Sequence, residues 1–208
     1  SSDDKKLREL LRLLSMIEVL VTTSGADEQI YLNEWTYLSG SSDCLDKVAV
    51  DEYAMLNTHL WRVFVLSQSK AAVFPLVCSQ LEVLTVSLGQ SKEVGAHRRL
   101  CALVGELLQL AGEVFFDANR YTDAAHCYTL AAAVSKEAEA FDLWACALTR
   151  HAFIEIYERR FDKAAPMLEL AERLARKGDE SLSTRYRVSA VSANIRRSRR
   201  IGSLSAGT

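Results

Sequence analysis

The stretch YTDAAHCYTLA at residues 121–131 is followed forty residues later by FDKAAPMLELA at residues 161–171. Both copies begin with an aromatic residue, carry Ala-Ala at their fourth and fifth positions, and end in Leu-Ala. Alanine at a fixed register lets two helices approach closely, whereas the charged positions differ between the copies. One such hairpin cannot bury its own apolar face, so neighbouring hairpins must stack. The chain is therefore predicted to contain a packing repeat of helical hairpins.

The composition of the whole chain favours an all-α protein. The 208 residues are 49% apolar and 25% charged, with a formal net charge of −2, which is typical of a globular chain. Only 9 residues are glycine and 2 are proline, so turn-forming residues are scarce. That scarcity argues against a β-sandwich, a β-barrel or a glycine-rich nucleotide-binding fold.

Apolar periodicity and turn-forming residues divide the chain into predicted helices. These helices fall at about residues 3–23, 46–67, 70–88, 96–118, 121–138, 141–159, 161–177 and 180–198. Residues 24–45 are predicted to be mainly irregular. Pro75 either lies in the first turn of its helix or shortens or kinks that helix. The connections after residue 96 are short, so neighbouring helices there are expected to be antiparallel.

The repeat resembles that of the tetratricopeptide (TPR) family. The first copy is similar to the family pattern at Leu108, Ala111, Gly112, Phe115, Ala124, Tyr128 and Ala131. The second copy is similar at Leu148, Ala152, Ala164, Leu168 and Ala171. The second copy has His151 and Glu155 where the family has apolar residues. Both copies lack the closing proline, which is replaced by Lys136 in the first and by Arg176 in the second. The period is 40 rather than 34 residues, so the chain is TPR-like rather than a strict repeat.

The resemblance covers about residues 100–178 and implies an α-solenoid of antiparallel helical hairpins with divergent N-terminal helices. We therefore expect helices at residues 1–95 that pack on or cap the solenoid, a TPR-like repeat at 96–198 and a flexible tail at 199–208. A generic helical bundle is the alternative. The leucine-rich first helix and residues 24–45 are candidates for a homodimer contact, because the ends of a solenoid must cover an exposed apolar face.

The chain as a whole also resembles the C-terminal sensor region of actinobacterial Xre-type helix-turn-helix transcriptional regulators. The similarity lies in the leucine-rich residues 6–14, in Asn57, His59, Leu60 and Trp61, and in the alanine-rich repeat. It implies a DNA-binding head upstream, and a chain that begins with Ser1 rather than Met is compatible with that expectation. No helix-turn-helix pattern is visible in the sequence, so nucleic acid is expected only through the missing domain.

No pattern in the sequence indicates catalysis, a cofactor or a metal site. The motifs GxGxxG, GxxxxGK[ST], HExxH and GxSxG are absent. The five cysteines are scattered and never form CxxC, which is typical of buried free thiols in a cytoplasmic protein. None of the four histidines pairs with another histidine or a cysteine at metal-ligand spacing. We expect a protein that is not an enzyme, although a triad whose members lie far apart in sequence leaves no such pattern.

Targeting signals are also missing from the sequence. No apolar run approaches the ~18–20 residues that a membrane helix needs. The first residues lack the basic-then-apolar order of a secretory signal. The protein is therefore expected to be cytoplasmic and to have no membrane partner.

The family register predicts a concave groove lined by the first helix of each hairpin. The candidate groove residues are Gln109, Glu113, Phe116 and Asp117 in the first copy, and Thr149, Phe153, Ile156 and Tyr157 in the second. Aromatic rings mixed with polar groups suit a protein or peptide partner, because rings anchor and polar groups fix the register. The alternative is that Phe116, Phe153 and Ile156 are core residues. The groove lacks the Lys and Asn set expected for gripping a C-terminal carboxylate.

The C-terminal residues form a second candidate site. Residues 181–208 contain six arginines and no acidic residue. The cluster within this segment consists of Arg196, Arg197, Arg199 and Arg200. It could contact nucleic acid or an acidic face of another subunit. A solvated basic tail is the alternative, because no aromatic residue interleaves the cluster.

These features predict a protein- or peptide-binding sensor module of a transcriptional regulator, whose DNA-binding head lies outside this chain. A stand-alone scaffold or a chaperone-like adaptor is the first alternative. An enzyme in a helical shell is the second, and it would require a buried cluster of titratable groups with perturbed pKa values.

Overall fold

The computed structural model describes residue 12, residues 47–91 and residues 93–193, and all regular structure in these residues is helical. The prediction of an all-α protein is confirmed for this part of the chain. The elements in order are α1 (Lys47–Leu66), a 3-10 turn (Lys70–Val73), α2 (Phe74–Gln90), α3 (Val94–Asp117), α4 (Tyr121–Glu137), α5 (Phe141–Tyr157), α6 (Phe161–Ala175) and α7 (residues 184–193). The predicted helix at residues 3–23 and the irregular residues 24–45 lie outside the described residues, residue 12 excepted.

The chain divides into two compact units, an N-terminal unit that ends at Glu139 and a C-terminal unit that begins at Ala140. The boundary that we expect at residue 95, between the N-terminal helices and the repeat, falls inside the first unit. α1 and α2, which precede this boundary, both pack against α3, the first helix after it.

In the N-terminal unit, α3 is the central helix and contacts α1, α2 and α4. Its fully buried side chains include Leu100, Val104, Leu107, Leu108 and Leu110, which lie on several sides of the helix. Pro75 lies in the first turn of α2, where its missing N–H has no intrahelical acceptor in any case. The first-turn alternative for Pro75 is therefore the one that the structure shows.

α3 and α4 lie close together at two glycines of α3. A Cβ atom at Gly112 would overlap the ring of Tyr128, which is itself fully buried. Further along the pair, Gly105 faces the side chains of Val134 and Ser135. Since rising numbers on α3 face falling numbers on α4, the two helices run in opposite directions.

Three-residue turns separate α3, α4, α5 and α6. The middle residue of each turn has a positive φ although none is glycine, namely Asn119 (58°), Glu139 (54°) and Arg159 (59°). The first and third turns close with the same pair of hydrogen bonds: Arg120 N–H to Phe115 O and Asn119 N–H to Phe116 O, and Arg160 N–H to Glu155 O and Arg159 N–H to Ile156 O. This 6→1 and 5→2 pairing satisfies the last carbonyls of each helix.

The three turn residues are twenty positions apart in sequence, and each following helix begins with an aromatic residue: Tyr121, Phe141 or Phe161. The forty-residue repeat in the sequence therefore consists of two successive helix-plus-turn segments of twenty residues.

In the C-terminal unit, α5, α6 and α7 enclose two apolar clusters. One joins Ala145, Ala171, Leu174, Ala175 and Val188, and the other joins Ala152, Ala164 and Leu168 with Ile156 and Val191 packed against it. Because Val188 belongs with Ala145 and Val191 with Ala152, α7 runs alongside α5 in the same direction.

The helix predicted at residues 180–198 begins at residue 184 instead. The Asp179 carboxylate accepts the Ser181 N–H at 2.8 Å, and the Asp142 carboxylate accepts the Asp179 N–H at 2.8 Å. These side-chain acceptors hold residues 179–181 in a turn that competes with helix formation. Residues 194–198 lie outside the described part of the chain.

One described segment, Lys70–Gln90, is long and apolar enough to cross a membrane by length and composition alone. Half of its most apolar stretch is buried within the structure. Val77, Leu81, Leu84 and Leu88 account for much of this burial, in a helix that packs against α3. The expectation that no apolar run approaches this length is therefore wrong for this segment, whose buried residues are also those of a helix packed into a core.

We predict opposite effects for alanine at two helical glycines. Gly112→Ala should lower the free energy of unfolding by about 1–3 kcal/mol, because the new methyl group overlaps the buried ring of Tyr128. Gly89→Ala is the matched control, since no atom lies within 4 Å of a Cβ at that position. It should raise the stability by about 0.5–1 kcal/mol through helix propensity. Urea denaturation followed by circular dichroism measures both, and two changes of the same sign would contradict the close approach at Gly112.

Candidate functional site

The four candidate groove residues on α3 take part mainly in packing within the N-terminal unit. Gln109 is only 2% exposed and belongs to the interior of this unit. Glu113 accepts a hydrogen bond from the Tyr128 hydroxyl at 2.7 Å, and the ring of Phe116 lies 5.3 Å from that of Tyr121. Asp117 is exposed at the end of α3. This half of the predicted set therefore offers little free aromatic surface.

The four candidate residues on α5 present a different surface. The Thr149 hydroxyl donates to the Ala145 carbonyl at 2.7 Å, and Ile156 packs against the apolar cluster in the C-terminal unit. Phe153 and Tyr157 are 44% and 61% exposed. They are four residues apart, so both lie on the same side of α5.

Tyr186 on α7 is a third large aromatic residue exposed in the C-terminal unit, at 80%. It was not among the candidates taken from the sequence. The forty-residue shift places Tyr186 at the register of Cys146, which precedes Phe153 by two helical turns on α5. Because residue 146 is not one of the candidate groove positions, the groove register does not identify Tyr186.

A charged cluster lies at the end of α5, where the TPR pattern has apolar residues. The Glu155 side chain is 7% exposed and accepts hydrogen bonds from Nε of Arg160 and, at 3.0 Å, from its Nη2. Nε2 of His151 lies 3.7 Å from the same carboxylate. Arg160 also pairs with Glu158. The cluster stabilises the turn between α5 and α6, because both the guanidinium and the backbone N–H of Arg160 donate hydrogen bonds to Glu155.

The pKa values in this cluster follow from burial and from the arginine. The hydrogen bond from Arg160 lowers the pKa of Glu155 below its ordinary value, against the effect of burial. Burial lowers the pKa of His151, an effect that Glu155 opposes and Arg160 reinforces. Both groups therefore favour the folded state at neutral pH and lose that contribution on acidification, His151 as the pH falls below 6.5 and Glu155 as it falls below 4.5.

A second polar contact joins α1 to α3. Asn57 is fully buried, and its Nδ2 donates to the Leu103 carbonyl at 3.0 Å and to the Glu106 carboxylate at 3.1 Å. Its Oδ1 is buried without a hydrogen-bond partner. Burial raises the pKa of Glu106, while the hydrogen bond from Asn57 opposes that rise. The contact fixes α1 against α3 but leaves one acceptor unsatisfied.

Most of the described cysteines are buried in the core. Cys78, Cys101, Cys127 and Cys146 are free thiols, and the first three are buried. Burial raises the pKa of Cys101 to about 12 and raises that of Cys127 further, so neither is a thiolate at neutral pH. Among residues 47–91 and 93–193, no three His, Cys, Asp or Glu side chains are grouped so that they could hold a metal ion.

The basic C-terminal segment is described only in part. Arg185 donates from Nε to the Ala175 carbonyl at 3.0 Å and from Nη2 to the Arg176 carbonyl at 3.1 Å, so it caps the end of α6. It also pairs with Glu180 at 3.2 Å. Arg187 is exposed on α7. The cluster Arg196, Arg197, Arg199 and Arg200 lies outside the described residues.

We predict that Glu155→Gln lowers the thermal midpoint at pH 7 by several degrees, because a neutral amide loses the charged interaction with Arg160. The deficit should shrink as the pH falls below 4.5, since the wild-type carboxyl then takes up a proton as well. Glu158→Gln removes the more exposed partner of Arg160 and should change the midpoint little. Equal effects of the two substitutions at pH 7 would contradict a special role for Glu155.

Glu106→Gln is predicted to raise the stability at pH 7, whereas Glu155→Gln lowers it. A raised pKa means that the carboxyl favours folding below pH 4.5 and loses that contribution as the pH rises through its value in the folded protein. An amide avoids the buried charge, and its N–H can donate to Asn57 Oδ1. We expect Glu106→Gln to raise the free energy of unfolding at pH 7 by roughly 1 kcal/mol, the size of one buried hydrogen bond.

Denaturation at pH 7 and near pH 4.5 tests the Glu106 prediction, with Glu82→Gln on the exposed side of α2 as the control. The gain over the wild type should be smaller at the lower pH. A gain that did not change with pH would contradict the assigned titration of Glu106.

Comparison with known proteins gives no match: no family model, no curated protein and no solved structure matches this chain. Any functional conclusion therefore depends on the chain's own residues.

Proposed function

We propose that this chain is a non-enzymatic, protein- or peptide-binding helical-repeat module, built as an α-solenoid of antiparallel hairpins. Three features support the architecture. The turns recur every twenty residues, α3 and α4 run in opposite directions with glycines between them, and α7 lies beside α5 as the first helix of a further hairpin would.

The observation that carries the binding function is the exposure of Phe153 and Tyr157 on one side of α5. Fully burying a large apolar side chain is favourable by about 1.5–3 kcal/mol. Aromatic residues also dominate the energetics of many protein interfaces. Two rings on one side of α5 that are 44% and 61% exposed therefore mark a surface where a partner can gain affinity. The proposed binding surface is therefore limited to the α5 residues of the predicted groove, because those on α3 mainly pack within the N-terminal unit.

The setting that we propose for this module is the cytoplasmic sensor region of a transcriptional regulator. That setting rests on the resemblance in sequence, and its DNA-binding head would lie outside this chain. A partner could regulate such a head only if it bound two arrangements of the helices unequally. A stand-alone adaptor would use the same aromatic surface without an attached head.

Selection from a peptide library displayed on phage tests the binding function. The full 208-residue chain is the bait, and enriched peptides are then measured for affinity against Phe153→Ala/Tyr157→Ala. We expect the double variant to weaken binding by at least about tenfold, equivalent to 1.4 kcal/mol, with unchanged helicity. Leu182→Ala is the matched control, because Leu182 is also an exposed apolar residue of the C-terminal unit but lies in the turn before α7.

Three outcomes would contradict the proposal. These are a library that yields no peptide above background, enriched peptides that bind the double variant as well as the wild type, and a loss of helicity together with binding. The last outcome would mean that Phe153 and Tyr157 are structural residues of α5.

A further inference from the structure

We infer that the partner of α5 is an amphipathic helix that lies lengthwise along it, an inference that rests on the proposed function and adds the partner's conformation. The proposed function requires only that a protein or peptide contacts the exposed rings of Phe153 and Tyr157. The spacing of the residues around these rings, and the hydrogen-bonding groups that α5 has, favour a helical partner over an extended one.

One row of residues along α5 takes no part in the two apolar clusters of the C-terminal unit. Its members are spaced alternately by three and four positions, and none of them is buried: Leu143, Cys146, Arg150, Phe153 and Tyr157. We call these residues the α5 row. Alternation of three and four keeps a row on one side of a helix, and it is the spacing of the seam along which two helices pack lengthwise.

The other apolar residues of α5 are used in packing and lie outside the α5 row. Five residues of the helix are buried, namely Ala145, Ala147, Ala152, Ile154 and Glu155. Four more pack against the apolar clusters, namely Phe141, Trp144, Leu148 and Ile156. Four members of the α5 row are apolar as well, and the methylene stem of Arg150 adds to them. The row is thus a partly exposed apolar seam that runs the length of α5.

An extended partner would need polar groups on α5, because each residue of an extended chain presents a backbone N–H and a C=O. α5 contains no Asn, Gln or Ser, and its two acidic side chains already accept hydrogen bonds. The Thr149 hydroxyl, which lies beside the row, donates to the Ala145 carbonyl. Within the row, only Arg150 and Tyr157 carry strong hydrogen-bonding groups. An extended backbone buried here would therefore leave most of its polar groups unsatisfied, which is costly.

A helical partner avoids this cost, because its backbone groups bond to one another. Its own residues at spacings of three and four can interdigitate with the α5 row over the distance from Leu143 to Tyr157, about 21 Å along the axis. A partner segment of about fifteen residues spans that length. Phe153 and Tyr157 are its main anchors, since they are the most exposed members of the row.

Two patterned peptide libraries displayed on phage test the inference, with the full 208-residue chain as the bait. One library places apolar residues at spacings of three and four among Ala, Glu and Lys. The other alternates the same apolar and polar residues, which is the pattern of a strand. We expect enrichment from the helix-patterned library only. The enriched peptides should bind Phe153→Ala/Tyr157→Ala at least about tenfold more weakly than the wild type.

Proline substitution tests the conformation of the bound peptide directly. Each enriched peptide is synthesised with Pro, and separately with Ala, at a central polar position. Proline should weaken binding by about a hundredfold, because it disrupts a helix interior. Alanine at the same position is the matched control and should leave the affinity unchanged, because it favours the helix.

Alkylation of Cys146 by N-ethylmaleimide tests whether the peptide lies along the α5 row. Among the described cysteines, Cys146 is the one that is not buried, and it precedes Phe153 by two helical turns. A peptide at about ten times its Kd should slow alkylation of Cys146 about tenfold, as located by mass spectrometry. The same peptide concentration should protect Cys146 equally in Leu182→Ala and much less in Phe153→Ala/Tyr157→Ala.

The outcomes separate this inference from the proposed function. Binders from the strand-patterned library that need Phe153 and Tyr157, tolerance of the central proline, or unchanged alkylation of Cys146 would overturn the helical partner alone. Dimerisation of the chain that the double variant abolishes, measured by analytical ultracentrifugation, would assign the row to a second copy and overturn a separate partner. No enrichment from either library, or peptides that do not need the two rings, would overturn the proposed function itself.

Discussion

The contact of Tyr128 with Gly112 is the constraint on which the packing of the N-terminal unit depends. The ring occupies the space that a side chain at position 112 would fill, and its hydroxyl reaches Glu113 at 2.7 Å. α4 can therefore lie close to α3, while α1 and α2 pack against other sides of the same helix. A helix that is apolar on most of its circumference is stable only when it is surrounded, so α3 needs all three neighbours. The described helices before residue 95 thus pack on α3, the first helix of the repeat.

Sequence periodicity locates the helices well from α4 to α6, because aromatic starts and recurring alanines mark them clearly. It does not explain how these helices end. Helix termini are usually recognised by a glycine at positive φ, whereas here the corresponding residues are Asn119, Glu139 and Arg159. α7 begins later than predicted for a related reason. Side-chain hydrogen bonds hold the turn around Asp179, and apolar periodicity does not reveal such bonds.

The candidate surface is only partly predictable, because the burial of a polar or aromatic side chain depends on neighbours that are distant in sequence. Phe153 and Tyr157 follow from the helical register, and the register alone cannot distinguish them from Gln109, which is buried. His151 and Glu155 stand out in the sequence as departures from the family pattern. The structure supplies their reason, namely the pairing of Glu155 with Arg160 across the turn. Tyr186 lies outside the groove register, because its counterpart forty residues earlier, Cys146, is not a candidate groove position.

The recurring turn also bears on how such a chain can change in evolution. Each junction between α3 and α6 uses three residues and places a different amino acid at the residue with positive φ, so no particular side chain is needed there. Stability in stacked repeats comes mainly from contacts between neighbours. A duplication or deletion of a whole twenty-residue segment would preserve the junction, the aromatic start and the helix length together. The chain is thus suited to gain or lose helices in complete steps, and a partner surface on one pair of helices can diverge while the junctions stay unchanged.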